Sequence, residues 1–204
     1  MKVELIDKMG TDLSVVNAAR VSYAKEKEEF EESDERLIRY LAEHKHWSPF
    51  AHTFLSFRIK APVFVARQLV KHQVGLVWNE ESRRYITHDP EIYNIRKWRE
   101  KPDSSKQGSG EQILISTELN LEVNEHLQQG LSLYNRLLLE NVAPEQARAV
   151  LPQSMYTNWI WSGTLYAFAR VCELRLDEHS QKETQEIARQ LDIHCQDALS
   201  LIHI

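Results

Sequence analysis

Asn79-Glu80-Glu81-Ser82-Arg83-Arg84-Tyr85, set shortly after Lys71-His72-Gln73, carries more chemistry than any other stretch of the chain. Adjacent guanidinium groups, carboxylates, a hydroxyl and an aromatic ring are the inventory needed to hold a nucleotide by phosphate and base together. A polar turn capping a strand is the plain alternative, but two successive arginines beside Ser82 and Glu80 put several donors near one acceptor. Upstream, Arg67 and Lys71 are spaced as one helical row and Gln68 and His72 as the adjacent one, so a helix there presents a polar side toward a common site. His52, at the end of Trp47-Ser48-Pro49-Phe50-Ala51-His52, is by residue type alone a hydrogen-bonded structural histidine. Glu145 with Arg148, Arg170 with Arg175, and the run Asp177-Glu178-His179-Ser180-Gln181 are further polar groups, each readable as a surface ion pair worth under ~1 kcal/mol.

The elements that must position these groups follow from periodicity. Lys2 to Asp7 alternates as a short strand, and Met9-Gly10-Thr11-Asp12 punctuates before a helix from about Leu13. Lys25 to Glu32 is a charged, solvated stretch, with Ser33 as N-cap of a helix carrying Leu37, Ile38 and Leu41. Thr53 to Ile59 reads as a strand, and Ala61-Pro62 opens a helix over Val63 to Gln73. Lys101 to Glu111, with Pro102, Asp103, Ser104, Ser105, Gly108, Ser109 and Gly110, is the one linker-like loop, and it need not divide two domains. Val123, Leu127, Leu131, Tyr134 and Leu138 mark a long scaffold helix despite Gly130. Pro144 starts a short helix ended by Leu151-Pro152, and Tyr156 to Trp161 is a strand. Leu165, Phe168, Ala169 and Cys172 line a helix that leaves Arg170 and Arg175 free to project. Ile187, Leu191, Cys195, Ala198 and Ile202 line the last helix. Few strands among long helices, without βαβ alternation, predict an α+β class: an antiparallel or mixed sheet flanked by long helices, as a single domain over 1–204.

Composition narrows the function. The 204 residues are 42% hydrophobic and 27% charged, in the ordinary globular range. The formal net charge of −5 argues against broad nucleic-acid binding, which needs a basic face. No apolar run is long enough to span a membrane and the N-terminus lacks a signal-like apolar stretch, so a cytoplasmic protein is expected. The two cysteines, Cys172 and Cys195, have no metal-type or CxxC spacing and read as buried thiols, so no metal site is expected. None of the six glycines forms a dinucleotide or P-loop fingerprint, so any dinucleotide must be held by side chains.

Ala61-Pro62-Val63-Phe64-Val65-Ala66-Arg67-Gln68, the His-centred triplet and Asn79-Glu80-x-Ser82-x-Arg84-Tyr85 resemble the flavin-dependent thymidylate synthases, whose signature is RHRxxSxNExSxRY. Asn17-Ala18-Ala19-Arg20-Val21-Ser22, Ser48-Pro49-Phe50-Ala51-His52, Glu145 to Pro152 and Leu174-Arg175-Leu176-Asp177-x-His179-x-Gln181 also look like family segments, in family order. The resemblance implies a homotetramer with FAD and active sites at subunit interfaces. It implies that NADPH reduces the flavin and that dUMP receives a methylene from 5,10-methylenetetrahydrofolate, giving dTMP and tetrahydrofolate. One reading of the residues fits independently. Uracil C5 is a poor nucleophile, yet Cys172 sits on an apolar stripe with no general base in sight, and a reductive cofactor bypasses that need.

Carried over by position, the resemblance gives Arg175, Ser82 and His52 catalytic roles, with Arg175 holding the uracil and stabilising its N3-deprotonated form. It assigns Gln68, Lys71, Glu80, Ser82, Arg83, Arg84, Arg148 and Arg175 to dUMP. It assigns Lys71, His72, Gln73, Glu80, Thr164, Tyr166, Arg170 and His179 to FAD. The chain departs from the pattern at Lys71-His72-Gln73, which replaces Arg-His-Arg, and five residues rather than four separate that triplet from Asn79. Leu76 or Val77 stands where the first motif serine falls, and Thr164, Tyr166 and Arg170 stand where members often carry Asn, Arg and Asn. A lysine supplies charge without the bidentate fork, so flavin contacts are altered more than dUMP contacts. The rivals are a flavin-dependent hydroxymethylase of dUMP or a related pyrimidine nucleotide, an inactive structural relative, and a nucleic-acid-binding module using Arg83, Arg84, Arg96, Lys97 and Arg99 around Trp98.

Overall fold

The structure, a computed structural model, describes residues 1–102 and 107–198. Asp103, Ser104 and Ser105 of the expected loop and Ile202 of the expected last helix lie outside the described residues. Four strands, β1 (Lys2–Met9), β2 (Phe54–Pro62), β3 (Leu76–Glu80) and β6 (Tyr156–Thr164), form one sheet in the order β1-β2-β6-β3. Every pairing is antiparallel, so the mixed alternative falls away. β4 (Trp98–Arg99) and β5 (Gln112–Ile113) form a separate small hairpin. The helices are α1 (Asp12–Arg20), α2 (Glu32–Glu43), α3 (Val63–Leu69), α4 (Thr117–Leu139), α5 (Pro144–Ala147), α6 (Leu165–Arg175) and α7 (Lys182–Ala198).

The period of two in the central strands decides which face is covered. Leu55, Phe57, Ile59 and Ala61 of β2, with Trp159 and Trp161 of β6, are buried, while Arg58 and Lys60 alternate toward the other face. Against the buried face α6 presents Leu165, Phe168 and Cys172, the helical spacing that the sequence shows. Phe168 sits edge-on to Phe57 at 4.9 Å and to Trp161 at 5.3 Å. Such ring pairs add about 0.5–1.5 kcal/mol each beyond area burial. α7 closes the layer with Ile187, Leu191 and Cys195.

Two boundaries differ from the sequence reading, each for a packing reason. α3 ends at Leu69 rather than Gln73, because the chain must reverse to lay β3 beside β6. The reversal uses Gly75 at φ 74°, and Leu76 then pairs with Gly163. A Cβ on Gly163 would stand 2.2 Å from the Gly75 carbonyl oxygen, so only glycine permits this approach. Lys71 and His72 therefore leave the helical rows and lie on the connection to β3. The second boundary is the start of α2, where Glu31 rather than Ser33 is the N-cap and its N–H donates to Asp34 Oδ2 at 3.1 Å.

Asp34 explains that shift. Its fully buried carboxylate accepts from Arg20 Nη2 and from Lys27 Nζ, both at 2.7 Å. Asn17 clasps the Lys27 backbone through both its N–H and its carbonyl, at 2.9 Å each. The charged stretch is thus tied down at Lys27. The long helix α4 buries only Tyr134, and a Cβ on Gly130 would lie 3.2 Å from the Val150 carbonyl oxygen, so the helix-weakening glycine admits a crossing segment. No helix among the described residues is long and apolar enough to cross a membrane.

Candidate functional site

Helix α6 carries groups to two cavities. The first, about 420 Å³, is lined by Gln68 of α3, Arg175 at the end of α6, the His179–Gln181 loop, and Arg99, Gly108 and Ser109 of the β4–β5 hairpin. Arg175 is in the last turn of α6, where the helix dipole favours a cation. Its Nε donates to His72 Nε2 at 2.8 Å and its Nη2 to the Gln68 carbonyl at 3.3 Å. Two anchors leave the remaining guanidinium N–H groups for a ligand, and burial lowers the pKa of Arg175 without removing its charge. Gly108, at φ 81°, lets the hairpin loop press against the His179 backbone, where a Cβ would meet the carbonyl oxygen at 3.2 Å. The expected linker is therefore in part a wall of this cavity.

His72 accepts from Arg175, so its Nε2 is bare and its proton sits on Nδ1. Burial first, and then the charges of Arg175 and Arg170, push its pKa below the ordinary 6.5. The unfolded ring takes up a proton more readily than the folded one. Stability that is full above pH 6.5 should accordingly fall as pH drops from there through the lowered folded-state value. Urea titrations across this range are expected to show that slope in the parent chain and to lose it in His72→Gln. An unchanged slope in His72→Gln would assign the dependence to other groups.

The second cavity, about 480 Å³, lies on the opposite flank of α6. Trp47 and Tyr166 bring their rings to 5.6 Å, with Arg39, Lys45, His46 and Arg170 around them. Glu43 and Glu173 line the same cavity and Arg39 is paired with Glu35, so the aromatic pair, its planes 35° apart, with Lys45 and Arg170 is the part suited to a flavin dinucleotide, rings for its ring systems and cations for its diphosphate. Tyr166 and Arg170, both expected at the flavin, line it. Thr164 is instead the N-cap of α6, its Oγ1 accepting from Ala167 N at 3.2 Å. His52 is exposed at the end of the 3-10 turn Ser48–His52, and Lys71 and Gln73 are exposed on the α3–β3 connection.

The motif that opened the sequence reading straddles the end of β3. Glu80 accepts from Thr157 Oγ1 at 2.7 Å and from Trp78 Nε1 at 3.2 Å, so its carboxylate is pre-oriented. Ser82 Oγ accepts from Arg84 Nε at 3.2 Å, and the Arg84 guanidinium lies over the Tyr85 ring at 5.1 Å. Arg83 turns inward, is buried, and donates from Nη1 to the His88 carbonyl, bracing the turn. Arg148 is exposed in the 3-10 turn after α5, its Nε on the Glu145 carbonyl at 3.2 Å. Within one chain the structure brings together Gln68, Arg175 and His179, and Tyr166 with Arg170. Of the residues expected at the nucleotide, Lys71, Glu80, Ser82, Arg84, Arg148 and the buried Arg83 line neither cavity.

Sequence reasoning quoted Trp47 only as the start of the segment ending at His52, gave it no role, and passed over His46. It also passed over the pair Arg99 and Glu183. Arg99 Nη2 reaches both Glu183 carboxylate oxygens, at 2.8 and 2.9 Å. These residues lie 84 positions apart, and no local pattern links them.

An antiparallel sheet with a guanidinium-lined polar cavity on one flank of α6 and an aromatic, charged one on the other suits a protein that handles small anionic molecules such as nucleotides. Comparison with known proteins narrows this. Residues 4–199 match the family described as Thymidylate synthase complementing protein. The flavin-dependent thymidylate synthase of Kosmotoga olearia is 40% identical over 190 residues, covering 91% of this chain and 81% of the relative. That of Thermus thermophilus is 38% identical over 187 residues, covering 92% of this chain and 68% of the relative. A solved structure of the UMP/dUMP methylase PolB from Streptomyces cacaoi with 5-Br dUMP matches at TM-score 0.79 and 32% identity, over 98% of this chain and 91% of that one. The chain belongs to the flavin-dependent thymidylate synthase family.

Proposed function

We propose that this chain catalyses the reductive methylation of dUMP to dTMP, with 5,10-methylenetetrahydrofolate as carbon donor and NADPH as reductant. The observation that carries the reading is the absence of a usable thiolate. Cys172 and Cys195 are both buried, the Cys172 thiol donates to the Ala188 carbonyl oxygen at 3.8 Å, and the neighbouring Cys195 thiol together with burial pushes the Cys172 thiol above its ordinary range. Covalent activation of the pyrimidine by a cysteine is thereby closed off. FAD, when bound, supplies the hydride that completes the methyl group.

The chain's own residues hold and polarise the nucleotide. Arg175, fixed by His72 and Gln68, faces its cavity as a preoriented cation suited to a deprotonated uracil imide. Ser82, Arg84 and Arg148 stand outside both cavities of their own chain. Their placement supports a site shared between protomers of a homotetramer, in which they grip the nucleotide of a neighbour. Glu80, oriented by Thr157 and Trp78 outside both cavities, belongs to the same shared site. Tyr166 and Arg170, with Trp47, form the flavin side; His72 and His179, expected at the flavin, stand at the Arg175 cavity instead, and Lys71 and Gln73 on the exposed connection between α3 and β3.

The test is the mass of the product. The Streptomyces cacaoi relative is a methylase of UMP and dUMP, so both nucleotides are supplied. A methylated pyrimidine nucleotide is expected; a product heavier by one oxygen identifies the hydroxymethylase instead, and no product at all supports the inactive relative.

A further inference from the structure

Glu183 has no role in the proposed reaction, yet it begins a one-way series of hydrogen bonds that runs through Gln181 and Gln68 in the wall of the polar cavity and ends on the buried Thr184. Its side chain is 7% exposed and is paired with Arg99, whose Nε is in turn held by Ser109 Oγ at 2.7 Å. Burial alone would raise the Glu183 carboxyl, but hydrogen bonds from Arg99, its own backbone N–H and Gln181 hold it below the usual carboxylate range. A carboxylate of this kind can only accept. Gln181 must therefore turn its amide nitrogen toward Glu183, and Nε2 donates to Oε2 at 2.9 Å. That leaves Gln181 Oε1 facing Gln68, which must answer with its own Nε2. Gln68 Oε1 is then the acceptor for Thr184 Oγ1 at 3.2 Å. Both amides are locked in one orientation.

We propose that Glu183 is a positioning residue that sets the donor and acceptor polarity of the Gln181–Gln68 pair, and with it the ability of the cavity to select a uracil over a cytosine nucleotide. The inference rests on the nucleotide-binding reading of this cavity. An amide flipped end for end has almost the same shape but exchanges a donor for an acceptor, and the imide of uracil and the aminopyrimidine edge of cytosine differ in that same sense. Arg99 belongs to the arrangement because it keeps Glu183 ionised. The β4–β5 hairpin is thereby tied to selectivity, although it contributes little buried apolar surface.

The experiment measures dissociation constants for dUMP and dCMP by titration calorimetry on the flavin-loaded protein, with flavin absorbance and thermal midpoint recorded for each variant. Glu183→Gln can donate as well as accept, which frees both amides to flip. It is expected to bind dUMP about tenfold more weakly, the scale of one hydrogen bond to a charged group. Its preference for dUMP over dCMP should shrink by a similar factor, while flavin content stays close to the parent and the thermal midpoint, lowered because Arg99 loses its charged partner, stays well above the assay temperature. Gln181→Met removes the link itself and should reproduce the loss, and the double variant should add nothing further. Should Glu183→Gln fail to fold, Gln181→Met carries the test alone. Unchanged dUMP affinity and preference in the folded variants overturns the proposal, as does a dUMP loss that merely tracks lost flavin or lost stability. A parent chain that binds no dUMP overturns the nucleotide reading itself, and this inference with it.

Discussion

Arg175→Ala is expected to lower turnover by about a hundredfold to a thousandfold, the usual cost of removing one preoriented donor from a developing anion. The fold should survive. Arg175 lies at the end of α6 and not among the buried apolar residues, and its removal strands only the His72 Nε2 acceptor and the Gln68 carbonyl. One such loss costs about 1–3 kcal/mol, less where water can enter, as it can at this half-open cavity. Arg175→Lys should recover little. A lysine ammonium keeps the charge but cannot hold His72 and the Gln68 carbonyl while also facing the ligand in a plane. Steady-state assays of both variants, read beside their unfolding curves, check this. Near-normal turnover in Arg175→Ala would remove the guanidinium from the reaction.

Asp34→Ala should give the largest loss of stability, and far from either cavity. Asp34 is the shared acceptor for Arg20 and Lys27, whose side chains are 26% and 22% exposed. Breaking a buried ion pair from one side usually costs about 3–5 kcal/mol, and partial access of both cations to water brings the expectation down to about 2–3 kcal/mol. In a chain of this size that is a fall of roughly 4–12 °C in thermal midpoint. The pH dependence has a definite sign. Burial by itself would raise the Asp34 carboxyl, but hydrogen bonds from Lys27, Arg20 and the Glu31 backbone hold it below the ordinary 3.8. Its stabilisation is therefore complete above that value and fades as pH falls below it. Urea unfolding of the parent chain near neutrality and in acid should show the loss, and the variant should lack this component. Parent and variant with equal stability at neutral pH would make the cluster a surface ornament.

The legible parts of the fold were those written in local periodicity. The alternation of β2 and β6 and the stripe residues Leu165, Phe168 and Cys172 of α6 and Ile187, Leu191 and Cys195 of α7 appear as read, because each buries one face against the rest, whereas of the α4 stripe only Tyr134 is buried and Ala169 of α6 lines the second cavity. β3 escaped notice because it is an edge strand with Val77 66% exposed, and its pairing is set by β6 far along the chain. The early end of α3 was equally hidden. Nothing between Arg67 and Gln73 breaks a helix, and the stop comes from the close approach of Gly75 to Gly163. At the site, the residues marked by motif were legible one by one, but the bonds joining them were not. Arg175 with His72, Gln68 with Gln181 and Arg99 with Glu183 are contacts between distant segments, with side-chain polarity rather than spacing as their only sign.

A reduced flavin held by a chain with the proposed activity should be reoxidised only when a carbon unit can be delivered onto dUMP. The direct measurement is anaerobic. The flavin-loaded protein is reduced with NADPH and mixed with 5,10-methylenetetrahydrofolate, with and without dUMP, while the oxidised-flavin absorbance is followed. The absorbance is expected to return only when dUMP is present, in step with the appearance of dTMP. Return of the absorbance at the same rate without dUMP, or a chain that takes up no flavin at all, would contradict the account.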